Sequence, residues 1–177
     1  MNMKTEIRLS GSGGQGLILA GVILAEGAIL SNLNAVQSQS YGPEARGGAS
    51  KAEVILSDKS INFPKIMDSD ILISLTQKSF DEYSKHIKEN SIVIVDSSID
   101  VHGINAKVCK APIIKTAEEV LKKPMTANII TLGVLSSVIQ DVDKEHLKKA
   151  ISKRVPKGTE ELNMEAFEQG TKLIAAM

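Results

Sequence analysis

The sequence predicts a single α/β domain over residues 1–177, with three layers (α/β/α), a mostly parallel sheet and a helical C-terminal third. Three observations support this prediction. Short runs of branched aliphatic residues, typical of strands covered on both faces, alternate with helical stretches. The first run leads through a glycine-rich turn into a long apolar stretch, the pattern of a Rossmann-like βα unit. No linker separates a second domain, and 177 residues can bury a core without disulfides.

The first βα unit lies in residues 5–30. Alternation places Ile7 and Leu9 on one face of a strand at 5–10, and GSGGQG follows as a turn. Residues 17–30 are apolar nearly all round and contain one charge, Glu26, so they predict a helix buried between other elements. They are too few to span a bilayer, which takes about 20 residues.

The middle of the chain predicts strands and one charged helix. Residues 34–40 can extend as a second strand, and residues 50–56 alternate as a strand with one solvent-exposed face. Two apolar runs, 70–76 and 91–96, flank a charged helical stretch at 78–89. This is the pattern of a βαβ unit, so we expect parallel strands here.

The last third of the chain predicts mainly helices. A short strand around residues 105–109 precedes a nearly charge-free helix at 127–139, which we expect to pack inside. Asp143 is placed to cap a basic helix, and Asn163 to cap the last helix, which begins MEAFEQG.

Composition excludes several function classes. Basic and acidic side chains number 21 each, so there is no electropositive surface for nucleic acid or an anionic membrane. Cys109 is the one cysteine, which rules out a disulfide framework and a four-thiolate iron–sulfur cluster on this chain. The N-terminus lacks the features of a secretory signal. We therefore expect a cytoplasmic protein that relies on another chain for any electron transfer.

Catalytic and metal-binding constellations are not recognisable in the sequence. His86, His102 and His146 have no ligand-like spacing to one another or to Cys109, and they predict solvated surface. Asp96 ends a strand at the edge where α/β proteins can bind ligands, and Ser97 and Ser98 after it predict a strand-ending turn rather than a nucleophile.

One nearly uncharged window carries most of the information. Nine of the 13 glycines lie between Gly11 and Gly48, and Glu26 is the one charged residue from Leu9 to Pro43. Such a window suits either a backbone-lined cavity or a surface that is buried against another protein.

The segment GSGGQG follows a strand and opens a helix, where backbone N–H groups can hold a phosphate. It lacks the partners of two common nucleotide sites, because residues 31–34 offer no carboxylate for a ribose and Leu17 replaces the Walker lysine. A purely steric turn is the alternative, although it would not require Gln15. The candidate ligand-binding residues are Gly11, Gly13, Gly14, Gln15 and Gly16.

The segment YGPEARGG follows the second predicted strand and has the composition of an ordered loop. If the first two strands are parallel neighbours, this loop and GSGGQG lie at the same edge of the sheet and form one site. Glu44 and Arg46 suit contacts with a partner, while an exposed ion pair is the alternative. The candidate interface residues are Tyr41, Gly42, Pro43, Glu44 and Arg46.

Four segments together carry a family resemblance: GSGGQG, QSYGPEARGG, NIITLG and RVPKGTEELNMEAFEQG. They span residues 11–170 in order, and they resemble the gamma subunits of 2-oxoacid:ferredoxin oxidoreductases. YGPEARGG and VPKGTEELN are most similar to the 2-oxoglutarate branch, while the pyruvate, branched-chain and indolepyruvate branches are alternatives.

The resemblance implies an accessory subunit that is inactive alone. It implies alpha, beta and possibly delta partner subunits, which bind thiamine diphosphate, Mg²⁺ and iron–sulfur clusters. The complex would convert a 2-oxoacid and CoA to acyl-CoA and CO₂, and reduce ferredoxin. The glycine segment would lie near CoA, and Tyr41, Gly42, Pro43, Glu44 and Arg46 at the subunit junction. The alternatives are a free-standing nucleotide-binding protein and a pure scaffold within the same complex.

Overall fold

The computed structural model describes residues 3–41 and 49–175. The strands are β1 (Lys4–Ser12), β2 (Asn34–Tyr41), β3 (Ala49–Ser57), β4 (Ser69–Ser74), β5 (Ile87–Asp96) and β6 (Lys107–Ala111). The helices are α1 (Leu17–Leu30), α2 (Gln77–Tyr83), α3 (Ile113–Lys115), α4 (Ala127–Ser136), α5 (Lys144–Arg154) and α6 (Glu160–Ala175). A π-helical turn at Thr116–Val120 continues α3, and a 3₁₀ turn at Pro124–Thr126 precedes α4.

The strands form one mixed sheet in the order β2-β3-β1-β4-β5-β6. The pairs β1–β4, β4–β5 and β5–β6 are parallel, as the βαβ pattern predicts. The pairs β2–β3 and β3–β1 are antiparallel, so β3 lies between β1 and β2. The prediction that the first two strands could be parallel neighbours is therefore wrong, although both strands still run in the same direction.

Helices cover both faces of the sheet, which confirms the three-layer α/β prediction. On one face, Ile7 and Leu9 of β1 belong to a core shared with α1, α4, α5 and α6. On the other face, Phe80 and Tyr83 of α2 pack in a smaller core with Leu72. The C-terminal third is helical as predicted, and α1 has the predicted bounds.

A buried arginine organises the α2 face of β1. Arg8 is 2% exposed, and its Nε donates to Oε1 of Glu53 at 2.8 Å. Its Nη1 and Nη2 donate to the backbone carbonyls of His86, Ile66 and Met67. The prediction that β3 has one solvent-exposed face is wrong, because Glu53 on that face is buried and hydrogen-bonded to Arg8.

The predicted helix at 78–89 is too long, because the sheet captures its second half. α2 ends at Tyr83, and β5 already begins at Ile87, which pairs with Ser69. The carbonyl of His86 accepts from the backbone N–H of Ser69 and from Arg8. Backbone groups used in this way are not available to a helix.

One of the two predicted helix caps is correct. The side chain of Asp143 accepts from the backbone N–H of Glu145 at 2.7 Å and caps α5. Asn163 does not cap the last helix, because α6 begins at Glu160. Instead, Nδ2 of Asn163 donates back to the carbonyl of Thr159 at 2.8 Å.

Candidate functional site

The glycine-rich loop, residues 11–16, joins the carboxyl end of β1 to the amino end of α1. Gly11 still belongs to the strand, whereas Gly13 and Gly14 form an exposed turn. Gly14 and Gly16 have φ angles of 86° and 71°, a left-handed backbone that glycine adopts without strain. The loop therefore presents bare backbone to solvent at the start of a 14-residue helix.

Gln15 closes the strand side of the loop. Its Oε1 accepts from the backbone N–H of Ser12 at 2.7 Å. The side chain lies across Gly11, where an added Cβ would overlap Oε1 and come within 2.9 Å of Leu17 Cδ1. The sequence did not predict this structural role of Gln15, which is to hold the backbone of Ser12.

Asn128, at the start of α4, closes the helix side of the loop. Its Nδ2 donates to the carbonyl of Gly16 at 3.2 Å, and the residue is 5% exposed. No role was predicted for Asn128 itself, although it opens the segment NIITLG. The signal was available, because a buried amide in a charge-free helix needs hydrogen-bond partners.

The start of α1 and the start of α4 thus meet at the glycine-rich loop. Neither helix has an acidic residue in its first turn, and neither N-cap residue makes a side-chain capping bond. In α4, the N–H groups of Ala127 and Ile129 are already bonded to the Pro124 carbonyl and to Oδ1 of Asn128. The start of α1 is therefore the end at which free N–H groups and partial positive charge can hold an anion.

The last residue of β2 lies at the same edge of the sheet as the glycine-rich loop. Ser50 of β3 pairs with Gly11 of β1 on one side and with Tyr41 of β2 on the other. The shared edge predicted for the two segments is therefore present at Tyr41, with β3 inserted between the strands. The other candidate interface residues, Gly42, Pro43, Glu44 and Arg46, lie outside the described residues.

Glu26, the one charge in the glycine-rich window, serves helix packing. Its carboxylate accepts from Lys153 Nζ at 2.6 Å and from Arg154 Nε at 2.5 Å on α5. The hydrogen bond from Lys153 is the largest effect, and with Arg154 it lowers the pKa of Glu26 despite partial burial. Its charge is neutralised by α5.

The other chemically suggestive residues have structural partners. Asp96 is 2% exposed, and its two oxygens accept from Ser98 and from the backbone N–H of Ile114. Ser97 and Ser98 thus form the predicted strand-ending turn. Across residues 3–41 and 49–175, no cluster of three His, Cys, Asp or Glu side chains could hold a metal ion. Over the same ranges, none of the helices is long and apolar enough to cross a membrane.

Comparison with known proteins decides the family. The sequence model of the pyruvate ferredoxin/flavodoxin oxidoreductase family matches residues 6–173. The chain belongs to this oxidoreductase family. The resemblance carried by the four sequence segments is thereby confirmed.

Within the pyruvate ferredoxin/flavodoxin oxidoreductase family, the chain is similar to 2-oxoglutarate synthase subunits KorC. It is 50% identical to that of Methanocaldococcus jannaschii over 96% of this chain and 94% of the relative. It is 41% identical to that of Methanothermobacter marburgensis over 97% of both chains. The crystal structure of a keto/oxoacid ferredoxin oxidoreductase gamma subunit from Geobacter sulfurreducens superposes with a TM-score of 0.90 and 44% identity, over 98% of each chain.

Proposed function

We propose that this chain is the gamma subunit of a 2-oxoglutarate:ferredoxin oxidoreductase. The observation that carries the proposal is the 50% identity to a KorC subunit over nearly the whole of both chains. In this role, the chain joins alpha and beta subunits, and possibly a delta subunit, in a complex that converts 2-oxoglutarate and CoA to acyl-CoA and CO₂. Electrons from the oxidation pass to ferredoxin.

Thiamine diphosphate, Mg²⁺ and the iron–sulfur clusters belong on the partner subunits in this proposal. The chain has one cysteine, whereas an iron–sulfur cluster takes several thiolates. It also lacks a GDG segment followed by asparagine, the pattern that the resemblance associates with thiamine diphosphate. We accordingly propose that the isolated chain is inactive, with residues 1–177 forming one cytoplasmic domain.

The glycine-rich loop is proposed to lie near the anionic part of CoA. Support comes from the exposed backbone at Gly13 and Gly14 and from the N-terminus of α1 beside them. A phosphate at this edge would meet backbone donors, with no carboxylate in the first turn of either helix.

The subunit junction is proposed at Tyr41, Gly42, Pro43, Glu44 and Arg46. Support comes from Tyr41, which pairs with Ser50 of β3, the residue that also pairs with Gly11 of the glycine-rich loop. Exposed apolar side chains just before α4, Val120 at 60% and Met125 at 75%, are further surface that a subunit could cover.

Reconstitution tests the proposal. The chain is co-expressed with its candidate alpha, beta and delta subunits, and CoA-dependent reduction of a viologen dye is measured with 2-oxoglutarate, pyruvate, 2-oxoisovalerate and indolepyruvate. We expect co-purification, activity with 2-oxoglutarate above the other acids, and no activity for the chain alone. Preference for another acid would reassign the branch, and turnover by the isolated chain would overturn the subunit role.

A parallel titration tests the free-standing alternative. The isolated chain is titrated with NAD(H), ATP and CoA by calorimetry. Tight binding of NAD(H) or ATP, without any association with the other subunits, would favour a nucleotide-binding protein over an oxidoreductase subunit.

A further inference from the structure

Two side-chain amides hold the ends of the glycine-rich loop, while its middle is open. Gln15 bonds the backbone of Ser12 at the strand end, and Asn128 bonds the carbonyl of Gly16 at the helix end. Between them, a Cβ added at Gly13 or Gly14 would meet nothing within 4 Å. The exposed residues Gly13 and Gly14 thus lie between two hydrogen-bonded ends of the loop.

The hydrogen bonds of Asn128 fix which way its amide points. Oδ1 accepts from the backbone N–H of Ile129 at 2.9 Å, in the first turn of α4. Nδ2 donates to the Gly16 carbonyl, which also accepts from Ala20 in the first bond of α1. A single buried side chain therefore ties the first turn of α4 to the N-cap residue of α1.

Gly16 and Asn128 also fit each other sterically. A Cβ at position 16 would lie 2.6 Å from Nδ2 and 3.0 Å from Cγ of Asn128, and the φ of 71° disfavours other residues. Asn128 occupies the space that a larger residue at position 16 would need. The loop cannot shift towards α4 without displacing it.

We propose that Asn128 is a positioning residue for the glycine-rich loop. It acts through Gly16 and holds the backbone N–H groups at the start of α1 in the orientation that receives an anion, without contacting that anion itself. The inference rests on the proposed function in one respect, namely that the anion belongs to CoA.

The test compares two alanine variants in the assembled oxidoreductase. Asn128→Ala removes the anchor, and Thr131→Ala is the matched control. Thr131 is fully buried one turn further along α4, and its Oγ1 donates within the helix to the Ala127 carbonyl at 2.7 Å. Hydrogen exchange of the peptides covering residues 12–20 and steady-state kinetics with CoA are measured for both.

We expect Asn128→Ala to speed hydrogen exchange in residues 12–20 by about fivefold to tenfold, because the loop loses one buried hydrogen bond. The KM for CoA should rise by a similar factor, with kcat changed less than about twofold because the positioned group binds rather than reacts. Thr131→Ala should leave both unchanged. Asn128→Asp, which keeps the volume and loses the donor, should show the same split if the alanine variant fails to assemble.

The outcomes separate the two proposals. Unchanged exchange in Asn128→Ala, or equal acceleration in both variants, would overturn the positioning role. Faster exchange in Asn128→Ala alone with an unchanged KM for CoA would support the positioning role and would count against the placement of CoA at this loop.

Discussion

Replacement of Gly170 by alanine should separate α4 from α6. A Cβ at Gly170 would lie 2.9 Å from Cα of Gly133 and 3.0 Å from the carbonyl carbon of Ile130, and closer still to the Ile130 oxygen. All of these are backbone atoms, so no side chain can turn aside to relieve the overlap. The helices must move apart, and α4 is buried along its whole length.

The magnitude follows from two opposing effects. Overpacking of a core costs typically about 1–3 kcal/mol, and a clash with backbone places Gly170→Ala near about 3. Alanine in place of glycine within a helix returns about 1 kcal/mol. The net loss is therefore about 2 kcal/mol, which lowers the Tm by about 4–8 °C for a chain of this size.

Urea and thermal unfolding of the purified chain, followed by circular dichroism, measure this loss. Gly27→Ala in α1 is the control, because its Cβ would meet the Cδ2 atom of Leu147 at 2.7 Å, the end of a side chain that can adjust. We expect a cost below about 1 kcal/mol there. A Gly170→Ala variant as stable as the wild type would refute the close crossing of the two helices.

Three further predictions concern charged and titratable groups. Arg8→Met should cost about 3 kcal/mol in urea unfolding, because it leaves the buried Glu53 carboxylate with Lys51 but without its guanidinium partner and removes the donor to the Ile66 and Met67 carbonyls; a neutral result would contradict this. The hydrogen bond from Lys153 lowers the pKa of Glu26 below 4.5, so its contribution to stability is present above that pH and lost as pH falls. Glu26→Gln should thus be less stable than wild type near neutral pH by under about 1 kcal/mol, with a gap that closes in acid; a pH-independent gap would argue against it. Burial, with a hydrogen bond to the adjacent glutamate, raises the pKa of Tyr83 to about 12. Its contribution to stability is therefore present below pH 10.0 and lost towards 12, and a difference titration against Tyr83→Phe should show this late phenol ionisation.

The local sequence pattern was sufficient to predict a long apolar helix. The helix at Leu17–Leu30 is apolar apart from Glu26 and is mostly buried, with Ile29 and Leu30 exposed at its end, and its bounds could be predicted from residue types alone. The local pattern failed where residues distant in the sequence determine the secondary structure. Lys88 and Glu89 look helical, yet the chain there joins β5, and Lys88 bonds Asp70 and Glu6 across the sheet.

Strand order could not be predicted either, because period-two alternation carries no information on neighbours. Glu53 shows the consequence, because the alternation of residues 50–56 predicted one solvent-exposed face for this strand. The register of β1 against β3 instead places it opposite Arg8, a partner 45 residues away.

The candidate site was predicted in part. Glycine spacing between a strand and a helix located the loop, because that chemistry is local. The contact of Asn128 with Gly16 joins residues 112 positions apart, and no spacing rule reaches that far. Placement of the ligand and of the subunit junction stays a prediction.

Three of the four segments that carry the family resemblance form a chain of contacts. The glycine-rich loop contacts NIITLG through Gly16 and Asn128, and NIITLG contacts the last segment through Gly133 and Gly170. Asn128 and Gly133 are five residues apart on one helix, about 7.5 Å along its axis. A displacement of α4 at its crossing with α6 should therefore reach the loop, and Gly170→Ala should also speed hydrogen exchange in residues 12–20. If exchange there stays unchanged while stability falls, α4 yields locally at the crossing and the loop is held by Asn128 and Gln15 alone.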